Sequence, residues 1–455
     1  LANIVFVMAN FTGHLNATFK LAGDLRKRGH NVTYVGSEAT RPKIAAQGFA
    51  FQSLPYIRDL PIDQPLRRLL RQRHTLRQAA QETLAGIKDI PVMTDELVHQ
   101  LKPDLLIFDP FYLIYAIPFY PHRIPALALS TKPLLDPDPL VPPYISRLIP
   151  RDNFWSRRLI QLSWLNLRTI YLGYRFRMFV SRQLVGYSPY SLTKLISRQN
   201  SFPIEREWAT RPLSYDFNLA NVPEIVLHSE EFDFPRAQPV RANVHYIGPC
   251  VDLDRQEEPF DWSRINDDSK LIFCSIGTIG TKGGYEEDFL RRVIEVFRDR
   301  PDYTLIMSVC RGIDSAALDP QLPNVHILPF VPQLQVLRRA DLMINHGGAN
   351  SIKECILLGV PMIVYARSSD QPGNSARVIY HGLGVRGDIH NDTSATIAAK
   401  IAHVLQQPRY RENVRHMQQH FLAYQRSGRH IEVIESYLKP TMSAASASAA
   451  SVSRE

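Results

Sequence analysis

The sequence predicts an α/β protein built from two Rossmann-like domains, on three observations. Both halves alternate short apolar runs of strand type with segments of helical spacing, the order that produces parallel sheets covered by helices. A chain of 455 residues, 45% of them hydrophobic, carries enough apolar side chains for two cores. Polar residues collect where strands end and helices begin, the rim on which open α/β sheets bind their ligands.

In chain order, a strand is expected over Asn3 to Met8, then the loop NFTGH, a helix through Lys27 stopped at Gly29, and a second strand, NVTYVG. The loop has one glycine, Gly13, where a dinucleotide site needs G-x-G-x-x-G, so an NAD site has little support. A later strand, LLIFD, ends at Asp109. His14 and Asp109 therefore lie beyond the carboxyl ends of two strands and, in a parallel sheet, point into one crevice. From about Tyr144 to Asn200 the chain is basic and aromatic, with Asp152 its only acid. That pattern fits helices whose apolar faces line a pocket while arginines meet water or anionic lipid headgroups. It fits ordinary packed helices with snorkelling arginines equally well.

The charged segment 252–262, with Pro259, reads as a linker between a first domain over 1–251 and a second over 263–425. The second domain opens with the strand LIFCSIG, which ends in a loop containing Ser275, Gly277 and Thr278. Strand-type runs follow at Asn324 to Phe330, Leu342 to His346 and Met362 to Ala366. Between them, helical spacing covers Gln335 to Ala340 and Ser351 to Leu358. Helices over 410–426 and 430–439 close the fold, and the low-complexity tail 441–455 is expected to be disordered.

The chemistry of the second domain centres on the run LMINHGGANSIKE. His346 ends a strand, Gly347 and Gly348 allow close approach to bare amides, and Asn350 and Ser351 open a helix that places Glu354 one turn on. A helix N-terminus presents unpaired N–H groups and a partial positive charge, so it can hold a diphosphate without Lys or Arg. A carboxylate at Glu354 would repel phosphate but suits the hydroxyl pair of a ribose.

These residues closely resemble the donor-binding signature of the family 1 glycosyltransferases, inverting nucleotide-sugar-dependent enzymes of GT-B fold that glycosylate small molecules. The resemblance extends over most of the chain. It implies two Rossmann-like domains facing each other across a cleft, with the acceptor in the first, the donor in the second, and a final helix over 426–440 crossing back. It assigns base packing to Phe330, Val331 and Gln333 of the FVPQ run, and diphosphate binding to His346, Gly348, Asn350 and Ser351. Ribose falls to Glu354 and sugar hydroxyls to Asp370 and Gln371, while Ser275 and Thr278, with Gly13, face the donor from the other wall. Phe330 stands where many relatives have Trp, which leaves uracil over thymine less secure than the phosphate site. It also implies a catalytic pair, His14 as general base and Asp109 as its orienting partner. An acceptor hydroxyl needs such a base, and a carboxylate on the other imidazole nitrogen sets the tautomer.

The formal charge of +9 and pI near 9.3 permit nucleic-acid contact, but no reader motif accompanies them, so no nucleic-acid partner is expected. Cys250, Cys274, Cys310 and Cys355 form no C-x-x-C pair and read as small hydrophobes of a reducing compartment. The first strand starts at Asn3, leaving no room for a signal peptide, and a cytoplasmic protein is expected, with peripheral membrane contact through segment 144–200. No metal-ligand spacing and no D-x-D appear, so metal and cofactor are expected to be absent. The expected reaction moves a hexose, glucose from UDP-glucose, to a hydroxyl of a hydrophobic small molecule. Transfer to a membrane lipid, an epimerase, and a non-catalytic sugar-nucleotide-binding auxiliary remain as alternatives. The acceptor, the bond type, and UDP against dTDP stay open.

Overall fold

The structure, a computed structural model, describes residues 1–54, 66–109, 113–204, 221–277, 285–310 and 312–438. Thr278 and the tail 441–455 lie outside the described residues.

Thirteen described strands form two parallel sheets. The first contains β1 (Asn3–Val7), β2 (Asn31–Gly36), β3 (Ala50–Ser53), β4 (Leu105–Phe108), β5 (Ala126–Ser130), β6 (Glu224–Val226) and β7 (Val244–Tyr246), in the order β3-β2-β1-β4-β5-β6-β7. The second contains β8 (Lys270–Ser275), β9 (Tyr303–Ser308), β10 (Val325–Leu328), β11 (Leu342–Asn345), β12 (Met362–Val364) and β13 (Gly384–Arg386), in the order β10-β9-β8-β11-β12-β13. Strands buried on both faces read as continuous apolar runs, as β4 (LLIF) does, because helices cover both sides of a parallel sheet.

Helices of the first half are α1 (Thr12–Lys27), α2 (Arg41–Ala45), α3 (Leu66–Gly86), α4 (Ile90–Leu101), α5 (Leu113–Ala116), α6 (Phe154–Val185) and α7 (Pro189–Gln199). Those of the second half are α8 (Tyr285–Glu295), α9 (Ser315–Leu318), α10 (Gln333–Leu337), α11 (Ala349–Leu358), α12 (Gln371–Tyr380), α13 (Ser394–Gln406), α14 (Pro408–Ser427) and α15 (Arg429–Ser436). In α1 the buried residues Leu15, Thr18, Leu21, Ala22 and Leu25 recur every three or four positions, one face of a helix laid on the sheet. The helix begins at Thr12, three residues earlier than the loop NFTGH suggested, so His14 sits in its first turn.

Each sheet has a switch point where strand order reverses, between β1 and β4 in the first and between β8 and β11 in the second. Register aligns the strand ends there, Val7 opposite Phe108 and Ser275 opposite Asn345. Residues that directly follow these four strands must share two crevices.

Segment 252–262 is no free spacer. Leu253, Phe260 and Trp262 pack against the second-domain core, and Glu257 accepts from the backbone N–H groups of Leu334 and Gln335 at the start of α10. At the other end, α14 and α15 break at Gly428, whose φ of 72° suits glycine. Past it, Ile431 and Ile434 of α15 enter the first-domain core beside Ile4 and Phe6.

Candidate active site

At the first switch point His14 and Asp109 meet. The His14 Nδ1 to Asp109 Oδ2 distance is 2.5 Å, with Asp109 buried and His14 partly exposed. An ionised carboxylate only accepts, so Nδ1 carries the proton and Nε2 is the basic nitrogen. Local sequence explains the pairing: β1 and β4 are adjacent, and each residue is delivered just past its strand end.

At the second switch point β8 and β11 deliver Ser275 and His346. The imidazole of His346 is bracketed by glycines, so that an added Cβ at Gly348 would lie 2.6 Å from its Nε2 and one at Gly277 3.2 Å from its ring. Its Nδ1 is buried without a hydrogen-bond partner among the described residues. Burial, helped by the nearby Arg367 charge, pushes its pKa down to about 4, so the ring is neutral at pH 7. A neutral ring can donate one hydrogen bond to a phosphate without a counter-charge.

Gly347 lies at φ 84°, where a Cβ would press on Val364 and the Gln371 carbonyl. Its N–H donates to Asn345 Oδ1, and its carbonyl accepts from Asn374, which also donates to Asp370 Oδ2 at 2.7 Å. Gln371 Oε1 accepts from the backbone N–H groups of Arg367 and Ser368. Asn374 thus ties Gly347 to Asp370, while Gln371 is anchored separately on the backbone just before α12.

Helix α11 bridges the two domains. The Asn350 amide donates to the Gly13 carbonyl at 2.7 Å, which places the donor helix against the turn that carries His14. One turn on, the fully buried Lys353 donates to the carbonyls of Leu227 and Pro249, and its pKa is lowered to about 8 by burial.

Glu354 departs from the solvated helix face its sequence position allows. It is 4% exposed, with Oε1 accepting from Arg255 at 2.6 Å and Oε2 from Gln333 at 2.6 Å. Arg255, from the segment read as a linker, is a member of this site that the sequence reading missed. A lone arginine among charged residues offered no periodic signal. Ser351 Oγ accepts a longer bond from Gln333 at 3.4 Å. Phe330 falls just past β10 and is 65% exposed, a ring face open to solvent rather than core. Val331, by contrast, is buried in the second core, so only its backbone can meet a nucleotide. All four cysteines are free and buried.

The fold and these two crevices define the class. Residues 311–434 match the family model described as "Erythromycin biosynthesis protein CIII-like, C-terminal domain". The chain is 27% identical over 377 residues to NDP-glycosyltransferase YjiC of Bacillus subtilis (strain 168), covering 82% of this chain and 81% of that one. Over 152 residues, 33% of this chain and 34% of the other, it is 34% identical to oleandomycin glycosyltransferase of Streptomyces antibioticus. Among solved structures, the glycosyltransferase of kitacinnamycin superposes with a TM-score of 0.65 at 21% identity, over 96% of this chain and 99% of that one. The calicheamicin glycosyltransferase CalG4 superposes with a TM-score of 0.65 at 18% identity, over 97% and 99%. The resemblance read from the sequence stands: the fold is that of these GT-B glycosyltransferases, and the sequence is similar to those of the bacterial glycosyltransferases named above. The expected enzyme class, a nucleotide-sugar-dependent glycosyltransferase, is the one for which these relatives are named.

Proposed function

We propose that this chain is an inverting, metal-independent glycosyltransferase that moves glucose from UDP-glucose to a hydroxyl of a hydrophobic small molecule. The observation that carries the reading is the 2.5 Å His14–Asp109 pair, set beside the N-terminus of α11 through the Asn350–Gly13 bond. His14 Nε2 takes the acceptor proton while the acceptor oxygen attacks the anomeric carbon from the face opposite the leaving group. The C–O bond to the diphosphate breaks, and the nucleoside diphosphate departs onto the α11 amides, with Asn350, Ser351 and neutral His346 as donors. Charge is then stabilised where it develops, by dipoles already in place, and no cofactor enters the reaction. Asp109 stays ionised and steadies the imidazolium.

Phe330 supplies a ring face for the base, with Gln333 beside it. Asp370, held by Asn374, and Gln371, held by the Arg367 and Ser368 N–H groups, receive the hexose hydroxyls in this reading. Glu354 favours ribose hydroxyls, since each carboxylate oxygen retains a second lone pair after its bond to Arg255 or Gln333. The engagement of both oxygens also supports a second reading, a dTDP-sugar donor, because the carboxylate is already satisfied without a 2′-hydroxyl.

A mass-spectrometric screen of phenolic, terpenoid and polyketide acceptors with UDP-glucose and dTDP-glucose tests donor and acceptor together. A hexose adduct that appears with UDP-glucose and is lost in His14→Ala is the expected result. Preference for dTDP-glucose selects the second reading, and donor turnover without any acceptor would overturn both.

A further inference from the structure

We propose that α6 is a membrane-docking element whose outward face binds the surface of an anionic bilayer, the helix lying in the headgroup plane. The helix spans 32 residues, about 48 Å at 1.5 Å per residue. Its side chains fall into three strips. Ser156, Ile160, Leu167, Met178, Ser181 and Val185 are buried, and Met178 and Val185 enter the first-domain core. Opposite them, Phe154, Leu165, Leu172, Phe176 and Phe179 lie within about 60° of one another on a helical wheel, all exposed, Phe176 to 67%. Trp155 at the helix start is 75% exposed. A third strip holds Arg157, Arg168, Arg175 and Arg182, grouped within about 40° beside the apolar one.

A soluble surface scatters its exposed large apolar residues singly, whereas here Leu165, Leu172, Phe176 and Phe179 follow one another in a row, with Phe154 on the same line beyond Arg158 and Gln161. Charge says what covers it. The only ionisable side chains of α6 besides Tyr are arginines, with no Asp or Glu along its length. The neighbouring α3, fastened to α6 by the Arg77 Nε bond to the Leu184 carbonyl at 2.8 Å, carries exposed Arg67, Arg68, Arg71 and Arg73 of its own. A second copy docking through this face by two-fold symmetry would set arginine rows together with no carboxylate on either helix to answer them. An anionic lipid surface supplies both needs at once, acyl chains for the aromatic row and headgroup phosphates for the arginines. Among the described residues no helix is long and apolar enough to cross a membrane, so α6 lies on the bilayer and does not span it.

The test is flotation of the full chain with vesicles of phosphatidylcholine alone or containing about a third phosphatidylglycerol. Phosphatidylglycerol vesicles should bind at least about tenfold more tightly, and binding should weaken as salt rises through the range where the Debye length falls from about 10 Å to 3 Å. The triple variants L165S/L172S/F176S and R168Q/R175Q/R182Q should each lose about tenfold or more in binding. Their melting temperatures should not move, since every substituted side chain is exposed. Absence of flotation, equal binding to both vesicle types, or variants that bind like the parent overturn the proposal. So does a dimer in light scattering that the apolar variant disperses while vesicles go unbound, or retention on immobilised polyglutamate without flotation, which would assign the face to an acidic protein.

Discussion

The chemistry at His14 depends on which ring nitrogen carries the proton, and Asp109 decides it. His14→Ala should lower turnover about a hundredfold or more while leaving UDP affinity nearly intact, because the base touches the acceptor and not the nucleotide. Asp109→Asn should cost less if Asp109 only orients the ring. Turnover with both variants and UDP titration by calorimetry check the pair, and a larger loss in Asp109→Asn would reverse the roles. His14 was legible as a candidate because a histidine just past a first strand falls where such sheets bind ligands. Its partner at 95 residues' separation was legible only through the parallel order of β1 and β4. Arg255 was not legible, since its bond to Glu354 crosses 99 residues from a segment with no regular structure to index it.

Helix α11 is the element on which the proposed donor site and the domain contact coincide, and its N-terminus was readable because glycines followed by Asn-Ser announce a helix start. The structure adds that two of its polar side chains face the other domain: Asn350 reaches Gly13, and Lys353 reaches Leu227 and Pro249. Gly348→Ala should lower UDP affinity by about tenfold or more, because the new Cβ meets His346 Nε2 at 2.6 Å and displaces a diphosphate donor. Calorimetric titration with UDP reads this directly, and unchanged affinity would remove His346 from the site. In the proposed mechanism the same helix terminus takes the place of a metal, so activity should survive EDTA and gain little from magnesium. Strict dependence on a divalent cation would contradict that account.

For the whole molecule, α15 closes the chain onto α1. Asp24 pairs with Lys20 and accepts from His430 at 3.0 Å, and Glu435 pairs with Arg28 and His30. Burial alone would raise the Asp24 pKa, but the His430 and Lys20 bonds outweigh it and hold it at about 2. A carboxylate with a lowered folded pKa adds stability above its unfolded value of about 3.8 and loses it as pH falls toward 2. Asp24→Asn should therefore cost about 0.5–1 kcal/mol at pH 7, a partly buried pair at the surface being partly screened, with faster amide exchange in α15 as the local sign. Acid acts on the buried histidines earlier. His228, sealed against Phe232 with its pKa pushed down to about 3 by burial and by the Lys353 charge, stays neutral when folded but protonates near 6.5 when unfolded. The unfolded state then binds more protons, so stability is lost as pH falls from about 6.5 toward 3. In urea unfolding, His228→Phe should flatten that part of the pH profile relative to the parent. An identical profile would show that the ring is solvated after all.

The alternation of apolar runs and the polar residues at their ends were enough to determine two parallel-sheet domains and to place His14, His346 and the Asn350–Ser351 pair on their rims. Periodicity and strand ends are local properties, readable without coordinates. What the sequence could not determine is which side chains at equal distance from a strand end turn inward. Val331 entered the core while its neighbour Phe330 stayed exposed, and Glu354 was buried against an arginine from a segment that reads as a spacer. Likewise, the phenylalanines and leucines on the outer side of α6 read as core by type, yet packing against α3 and α7 needs only one strip of a helix. Tertiary structure chose the strip that carries Ile160, Leu167 and Met178 and left the aromatic strip to solvent, because the helices α3 and α7 that pack against α6 cover only one side of it.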